Sequence, residues 1–210
     1  LKLAENTLVI FTSDNGSNGR NGGSNRPLSG AKGSTMEGGM RVPLIARWPG
    51  RIPANSTCRE LGTMMDLLPT FCALTGAALP LKKLDGFDIS EMLFGNGDAR
   101  SQYEALYYYR RRQLQAIRYG DWKYHLPLQA THPNWTSAKQ AGPGRSGKLV
   151  NLKSDLQEKT DVTAAYPEVI KRMGELLKTA VMTLGNDDII GSEQRDARTL
   201  DSSKPLTLKE

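Results

Sequence analysis

The sequence predicts an α/β protein in which the last part of a sheet buried on both faces is followed by a small antiparallel sheet and one packed helix. Three observations carry that reading. Residues 8–11 form an unbroken apolar, β-branched and aromatic run, the pattern of a strand in a parallel sheet covered on both sides. Short β-prone runs recur at 105–110, 114–118, 122–126 and 148–152, with the spacing of an antiparallel sheet. From Pro167 to Leu184 the apolar residues Val169, Met173, Leu176, Ala180 and Leu184 fall on one stripe, the signature of an amphipathic helix.

The first strand stops at Ser13-Asp14-Asn15-Gly16, and a second is expected over 42–48, with Pro43 near its start where a missing amide is tolerated. Between them, residues 16–41 hold eight glycines. Structureless loops beyond about 12–15 residues are usually functional or disordered, and attachment to core strands at both ends favours function. Residues 63–76 carry helical spacing, with Pro69 in the first turn and Gly76 as the C-terminal cap. The turn-rich text from 79 to 97 reads as a surface connector. Tyr119-Gly120-Asp121 reads as a hairpin turn between two of the later strands. Pro167 opening the last helix and Gly185 closing it follow the usual asymmetry of helix ends. These elements divide the chain into 1–97, the end of the α/β unit; 98–185, the antiparallel sheet with its helix; and 186–210, an extended tail.

At 210 residues with 38% hydrophobic side chains, the chain is long enough to bury a core and is neither disordered nor disulfide-dense. No apolar run approaches the roughly 20 residues that span a bilayer. The chain opens on Leu1 without a basic-then-apolar leader, and it reads as the later part of a longer protein. The net charge of +6 is concentrated in residues 101–150, which carry eight basic and two acidic side chains and include Arg110-Arg111-Arg112. That segment is either a solvated basic face or a surface that attracts an anionic substrate. Nucleic acid is not expected, since no zinc-finger spacing, RNP aromatic motif or basic zipper is present. Cys58 and Cys72 match no metal motif and leave a disulfide open; Cys72, on the apolar face of a helix, is expected in the core.

Two sets of residues could carry chemistry. Asp14 and Asn15 lie at the carboxyl end of the first strand, where open α/β sheets place their ligands. A carboxylate beside an amide carbonyl offers hard oxygen donors to Ca²⁺ or Mg²⁺, although Asp-Asn-Gly is equally ordinary turn chemistry. Lys32 sits among small residues in Gly30-Ala31-Lys32-Gly33-Ser34-Thr35, where a ligand can approach the backbone closely. On its own it reads first as a solvated loop lysine. It is not a Walker A lysine, because Gly33 separates it from Ser34, and Gly19-Arg20-Asn21-Gly22 lacks the flanking helices of a KH loop.

Read whole, the segment has more content. Thr7 through Gly16, then Gly30-Ala31-Lys32-Gly33-Ser34-Thr35-Met36-Glu37-Gly38-Gly39-Met40-Arg41-Val42-Pro43, then Trp48-Pro49-Gly50, resembles the later half of the catalytic domain of type I sulfatases, the arylsulfatase family of the alkaline-phosphatase-like superfamily. The likeness continues through Asp66-Leu67-Leu68-Pro69-Thr70, Asp85-Gly86, Arg118-Tyr119-Gly120-Asp121-Trp122-Lys123 and Leu149-Val150-Asn151-Leu152, with Asp155, Glu158 and Tyr166-Pro167 after it, covering about residues 1–185.

The resemblance implies that Asp14 and Asn15 ligate Ca²⁺, with Mg²⁺ the less favoured ion, and that Lys32 contacts the sulfate as a catalytic and substrate-binding residue. It implies hydrolysis of sulfate monoesters, of sulfated carbohydrates before small aryl sulfates, by a formylglycine nucleophile made from a Cys/Ser-x-Pro-x-Arg motif. Neither Cys58-Arg59-Glu60-Leu61-Gly62 nor Cys72-Ala73-Leu74-Thr75-Gly76 fits that motif, so the nucleophile and the remaining metal ligands are expected upstream. The family's setting is exported, periplasmic or extracellular, or lysosomal. The rival readings are a phosphomonoester or phosphodiester hydrolase of the same superfamily and a non-catalytic module that binds an anion or Ca²⁺. His125 and His132 are expected on a strand surface or in a loop, with substrate contact the lesser alternative and no catalytic role.

Overall fold

The computed structural model of the chain describes residues 3–20, 22–131 and 142–195. Strand β1 (Val9–Thr12) forms where the apolar run predicts it, and β2 (Leu44–Arg47) pairs with it. The pairing is antiparallel, with Val9 opposite Arg47 and Phe11 opposite Ile45, not the parallel, centrally buried arrangement expected. Val9, Phe11 and Ile45 are all half or more exposed. A β-branched and aromatic run specifies extended backbone and apolar surface, but it does not specify the direction of the neighbouring strand.

The long excursion between these strands is irregular except for helix α1 (Glu37–Met40). After β2, the turn Met64–Asp66 leads into helix α2 (Leu67–Thr75), which has Pro69 in its first turn and ends at Gly76. Cys72 is buried, Cys58 is exposed, and both are free thiols. The buried Asp66 organises this region: its carboxylate accepts from the amides of Thr63 (2.6 Å) and Phe87 (2.8 Å) and from the Tyr103 hydroxyl (2.5 Å). Burial and the Asp66 hydrogen bond both push the Tyr103 phenol well above its ordinary range. The expected connector holds one further short helix, α3 (Ser90–Leu93).

The second half is a four-stranded antiparallel sheet in the order β3 (Leu106–Arg110), β4 (Gln113–Tyr119), β5 (Trp122–His125) and β8 (Lys148–Asn151). β6 (Leu128–Thr131) and β7 (Gly142–Arg145) form a separate two-stranded ribbon that the sequence pattern did not reveal. Tyr119 pairs with Trp122, so Gly120-Asp121 is the hairpin turn expected there.

Because strand side chains alternate, one face of the sheet presents Tyr107, Ile117, Tyr124 and Leu149, which stand opposite one another across the strands. This face packs on helix α4 (Pro167–Leu184) through Met173 and Leu176, with Trp122 and Val169 at the margin. The other face presents Tyr108, Ala116, Lys123 and His125, and all four are buried.

Residues after α4 do not trail away at once. Strands β9 (Gly185–Asn186) and β10 (Ile189–Ile190) form a small hairpin. It is tied down by Asn186 Oδ1 accepting from the Leu114 amide and by the Asp187 amide donating to the Arg112 carbonyl. Lys83 and Glu193 pair at 2.7 Å beyond it. The expected extended tail is thus folded over its first ten residues: Asn186 and its neighbours satisfy backbone groups of the β3–β4 turn, a contact at long sequence separation that leaves no periodicity to read. Among the described residues no helix is long and apolar enough to cross a membrane.

Candidate functional site

The two sets of candidate residues meet at the carboxyl end of β1. There the chain turns sharply, with the Ser13 hydroxyl donating to the Asn15 carbonyl (2.9 Å) and the Asn15 side-chain amide donating to the Gly16 carbonyl (3.1 Å). The Gly16 amide donates to the Gly39 carbonyl at 3.1 Å. A Cβ on Gly16 would stand 1.8 Å from the Gly38 carbonyl oxygen, so only glycine lets the turn lie against the start of α1. On the other side the Lys32 amide donates to the Ser17 carbonyl at 3.0 Å. Asn25 braces the same point, accepting from the Ser17 amide (2.7 Å) and donating to the carbonyls of Ser17 and Gly30.

Asp14, Asn15 and Lys32 are therefore brought onto neighbouring turns. Asp14 and Lys32 are exposed, and no hydrogen bond or ion pair engages the Asp14 carboxylate or the Lys32 ammonium among the described residues. Gly33, at φ +85°, supplies the left-handed step that swings the chain back after Lys32. Arg26, Pro27, Leu28 and Ser29 of the same loop line an open groove with Gln157, from the turn after β8.

The donor set fits a hard cation only in part. Asp14 and Asn15 supply oxygen ligands of the right chemistry, yet Ca²⁺ takes about six to eight. Among the described residues no group of three or more His, Cys, Asp or Glu side chains could hold an ion. Lys32 suits an oxyanion: it is a point charge that no described neighbour neutralises.

Directly behind this loop lies a cluster that the sequence reading did not find. Lys123, fully buried, donates to the Glu37 carboxylate (2.9 Å) and to the Thr35 carbonyl (2.8 Å), and it pairs with Glu158 at 2.9 Å. Glu158 also accepts from the Glu37 amide (2.7 Å) and bonds His125 Nε2 at 2.8 Å. The Tyr108 hydroxyl donates to Glu37 (3.0 Å), and its ring lies 4.1 Å from the Lys123 nitrogen.

Burial pushes the Tyr108 phenol well up, and the Glu37 charge adds to this. Burial lowers His125 and is the largest effect; the Glu158 hydrogen bond pulls the other way, and the Lys123 charge adds to the lowering. For Glu158, burial alone would raise the pKa, but His125, Lys123 and the Glu37 amide together hold it below the usual carboxylate value.

His125 is thus neither a strand-surface nor a loop residue; His132 lies outside the described residues. The alternation Trp122-Lys123-Tyr124-His125 reads as apolar-in, polar-out, but here the polar face is covered by the glycine-rich segment. The available signal was Lys and His at alternate positions of a strand in a protein that also placed an acid within Met36-Glu37-Gly38.

The basic run 110–112 is not one surface. Arg110 ends β3 and its guanidinium donates to the Gly33 carbonyl, next to Lys32. Partial burial, with Arg111 beside it, lowers Arg110 from its ordinary value. Arg111 occupies the turn itself at φ +55°, so strand alternation does not govern where it points.

Comparison with known proteins adds the following. Residues 1–77 match the family model described as Sulfatase, and residues 101–200 match that described as C-terminal region of aryl-sulfatase. The chain is 37% identical over 217 residues to Arylsulfatase A of Homo sapiens, covering 92% of the chain and 42% of that protein. It is 43% identical over 131 residues to N-acetylgalactosamine-6-sulfatase of Canis lupus familiaris, covering 60% of the chain and 24% of that protein. The fold is similar to the crystal structure of Ps i-CgsB in complex with k-i-k-neocarrahexaose, with a TM-score of 0.67 and 30% identity over 83% of this chain and 36% of that one. The chain thus spans less than half the length of these relatives.

Proposed function

The chain belongs to the sulfatase family, and from that premise we propose that the complete protein hydrolyses sulfate monoesters, those of sulfated carbohydrates in particular. The observation that carries the proposal is the placement of an unpaired lysine beside an Asp-Asn turn, joined through the Lys32 amide on Ser17 and the Gly16 amide on Gly39. The carbohydrate preference is supported by the relatives named for an N-acetylgalactosamine-6-sulfate activity and for a bound neocarrahexaose.

In this reading Lys32 binds the sulfate by charge and holds it in one orientation, and its ammonium stabilises negative charge that grows on the sulfate oxygens. Asp14 and Asn15 would hold Ca²⁺ through their side-chain oxygens, together with carboxylates from beyond this chain. A bound Ca²⁺ supplies positive charge to the sulfate oxygens without proton transfer. The Asn15 side-chain nitrogen is occupied by the Gly16 carbonyl, so its side-chain oxygen is the atom that would serve a cation. The nucleophile of this reading is a formylglycine outside these 210 residues. The family supports an exported or lysosomal setting.

The experiment compares p-nitrophenyl sulfate with p-nitrophenyl phosphate on the full-length enzyme and measures bound Ca²⁺ by elemental analysis. Sulfate preference, with about one Ca²⁺ per protein, is the expected result. Preference for the phosphate ester would move the protein to the phosphohydrolases.

A further inference from the structure

The segment 29–37 has little to hold it in one shape by itself. Its internal bonds are the Ser34 amide to the Ala31 carbonyl and the Ala31 amide to the Ser34 hydroxyl, and glycines stand at positions 30 and 33, two before and one after Lys32. Besides the Lys32 amide on Ser17 and Asn25 on the Gly30 carbonyl, it is held by the small sheet and the turn after its last strand. Ser29 donates to the Gln157 carbonyl (2.6 Å), Arg110 to the Gly33 carbonyl, and Thr35 to the Gln115 side chain (3.1 Å). Lys123 grips both the Thr35 carbonyl and the Glu37 carboxylate, and Glu158 takes the Glu37 amide. Contacts therefore fall at 29, 33, 35 and 37, on both sides of Lys32, whose own ammonium takes no part.

We propose that Lys123 and Arg110 are positioning residues for the anion-binding lysine: the sheet sets the segment, and the segment sets Lys32. The inference rests on reading Lys32 as the sulfate contact. A buried apolar patch could join loop and sheet with as much affinity, but it would tolerate sliding. A buried lysine between two carboxylates and a carbonyl admits one arrangement, because any shift leaves a charge unpaired away from water. Arg110 adds a rigid, directional donor one residue after Lys32. The relation is also economical in chemistry, since a flexible loop lysine loses binding strength to conformational freedom, whereas a loop fixed in advance does not.

The test is a double-mutant cycle in the full-length enzyme, read by inhibition with inorganic sulfate. Arg110→Ala should raise the sulfate inhibition constant about tenfold when Lys32 is present and less than about twofold in a Lys32→Ala background, because a positioning residue acts through its target. Arg110→Lys, which keeps the donor, should restore part of the loss. Trypsin cleavage after Lys32 should accelerate in Arg110→Ala while cleavage elsewhere stays as in the parent protein, and in Lys123→Met it should accelerate by a larger factor than cleavage elsewhere.

An equal rise in both backgrounds overturns the proposal, as does an unmoved inhibition constant in Arg110→Ala. Should Lys123→Met fail to fold, the Arg110 cycle still decides. If Lys32→Ala alone leaves sulfate inhibition unchanged, the reading of Lys32 itself fails, and the positioning claim fails with it; that outcome is separate from a failed cycle around an effective Lys32.

Discussion

Lys123 and Glu158 stand 2.9 Å apart with neither side chain exposed to solvent, one on a sheet strand and the other in the turn that follows the last strand of that sheet. Glu37 closes the same arrangement from the far side, at 2.9 Å from the Lys123 nitrogen. The cluster joins the first half of the chain to the second by charge in a place where water cannot compensate a missing partner.

Removing the central cation should therefore be costly. Lys123→Met leaves two carboxylates facing each other, and breaking a buried ion pair from one side typically costs about 3–5 kcal/mol. Chemical denaturation of the full-length protein checks this. Adding Glu37→Gln and Glu158→Gln to Lys123→Met should recover part of the loss, whereas a single Lys123→Met variant as stable as the parent would show that the pair contributes nothing.

Acidification should destabilise the protein in two stages. His125 has its pKa lowered on folding, so below about pH 6.5, the ordinary histidine value, the unfolded chain takes up a proton that the folded chain refuses, and stability falls with pH. Glu158 is also lowered; its contribution is present above the ordinary carboxylate value and is lost as pH falls through the lower folded value. Thermal unfolding between pH 7 and pH 2 should show the first stage disappear in His125→Gln, which keeps a donor for Glu158, and the second persist. An unchanged profile in that variant would remove His125 from the account.

Asp14→Ala should weaken Ca²⁺ retention in the full-length enzyme without unfolding it, because the carboxylate is exposed and engages no described neighbour. Calcium content after gel filtration in chelator-free buffer gives the answer directly. Retention equal to that of the parent protein would return Asp14-Asn15-Gly16 to the role of an ordinary turn.

Lys32→Ala should lower kcat/KM for a sulfate ester by one to two orders of magnitude or more, since losing a charge-assisted contact to an anion costs about 1.5–3 kcal/mol. Stability should hardly change, because the side chain is exposed. Steady-state kinetics beside a melting curve separates the two effects; unchanged kinetics would place Lys32 on a solvated loop.

Much of this architecture is local and could be read from the order of residues. Helix Pro167–Leu184 follows from the spacing of Val169, Met173, Leu176 and Ala180, and its ends follow from Pro167 and Gly185. The turn at Gly120-Asp121 and the helix ending at Gly76 are set by residues within a few positions of one another. Asp14, Asn15 and Lys32 became candidates through motif likeness, and the tertiary structure brings their turns together through two backbone hydrogen bonds.

Only the tertiary structure could decide how β1 pairs, how the chain folds back after α4, and what covers the second face of the small sheet. Val9, Ile10 and Phe11 carry the same β preference whichever way a partner runs, so sequence specified a strand and folding specified its antiparallel neighbour. Lys123 and His125 alternate with Trp122 and Tyr124 as they would on a solvated strand. Their burial depends on Glu37, 86 residues before Lys123, and on Glu158, 33 residues after His125. Local periodicity reports which side chains share a face; it carries no information about a distant segment that neutralises and covers that face, and here that segment is the one bearing Lys32.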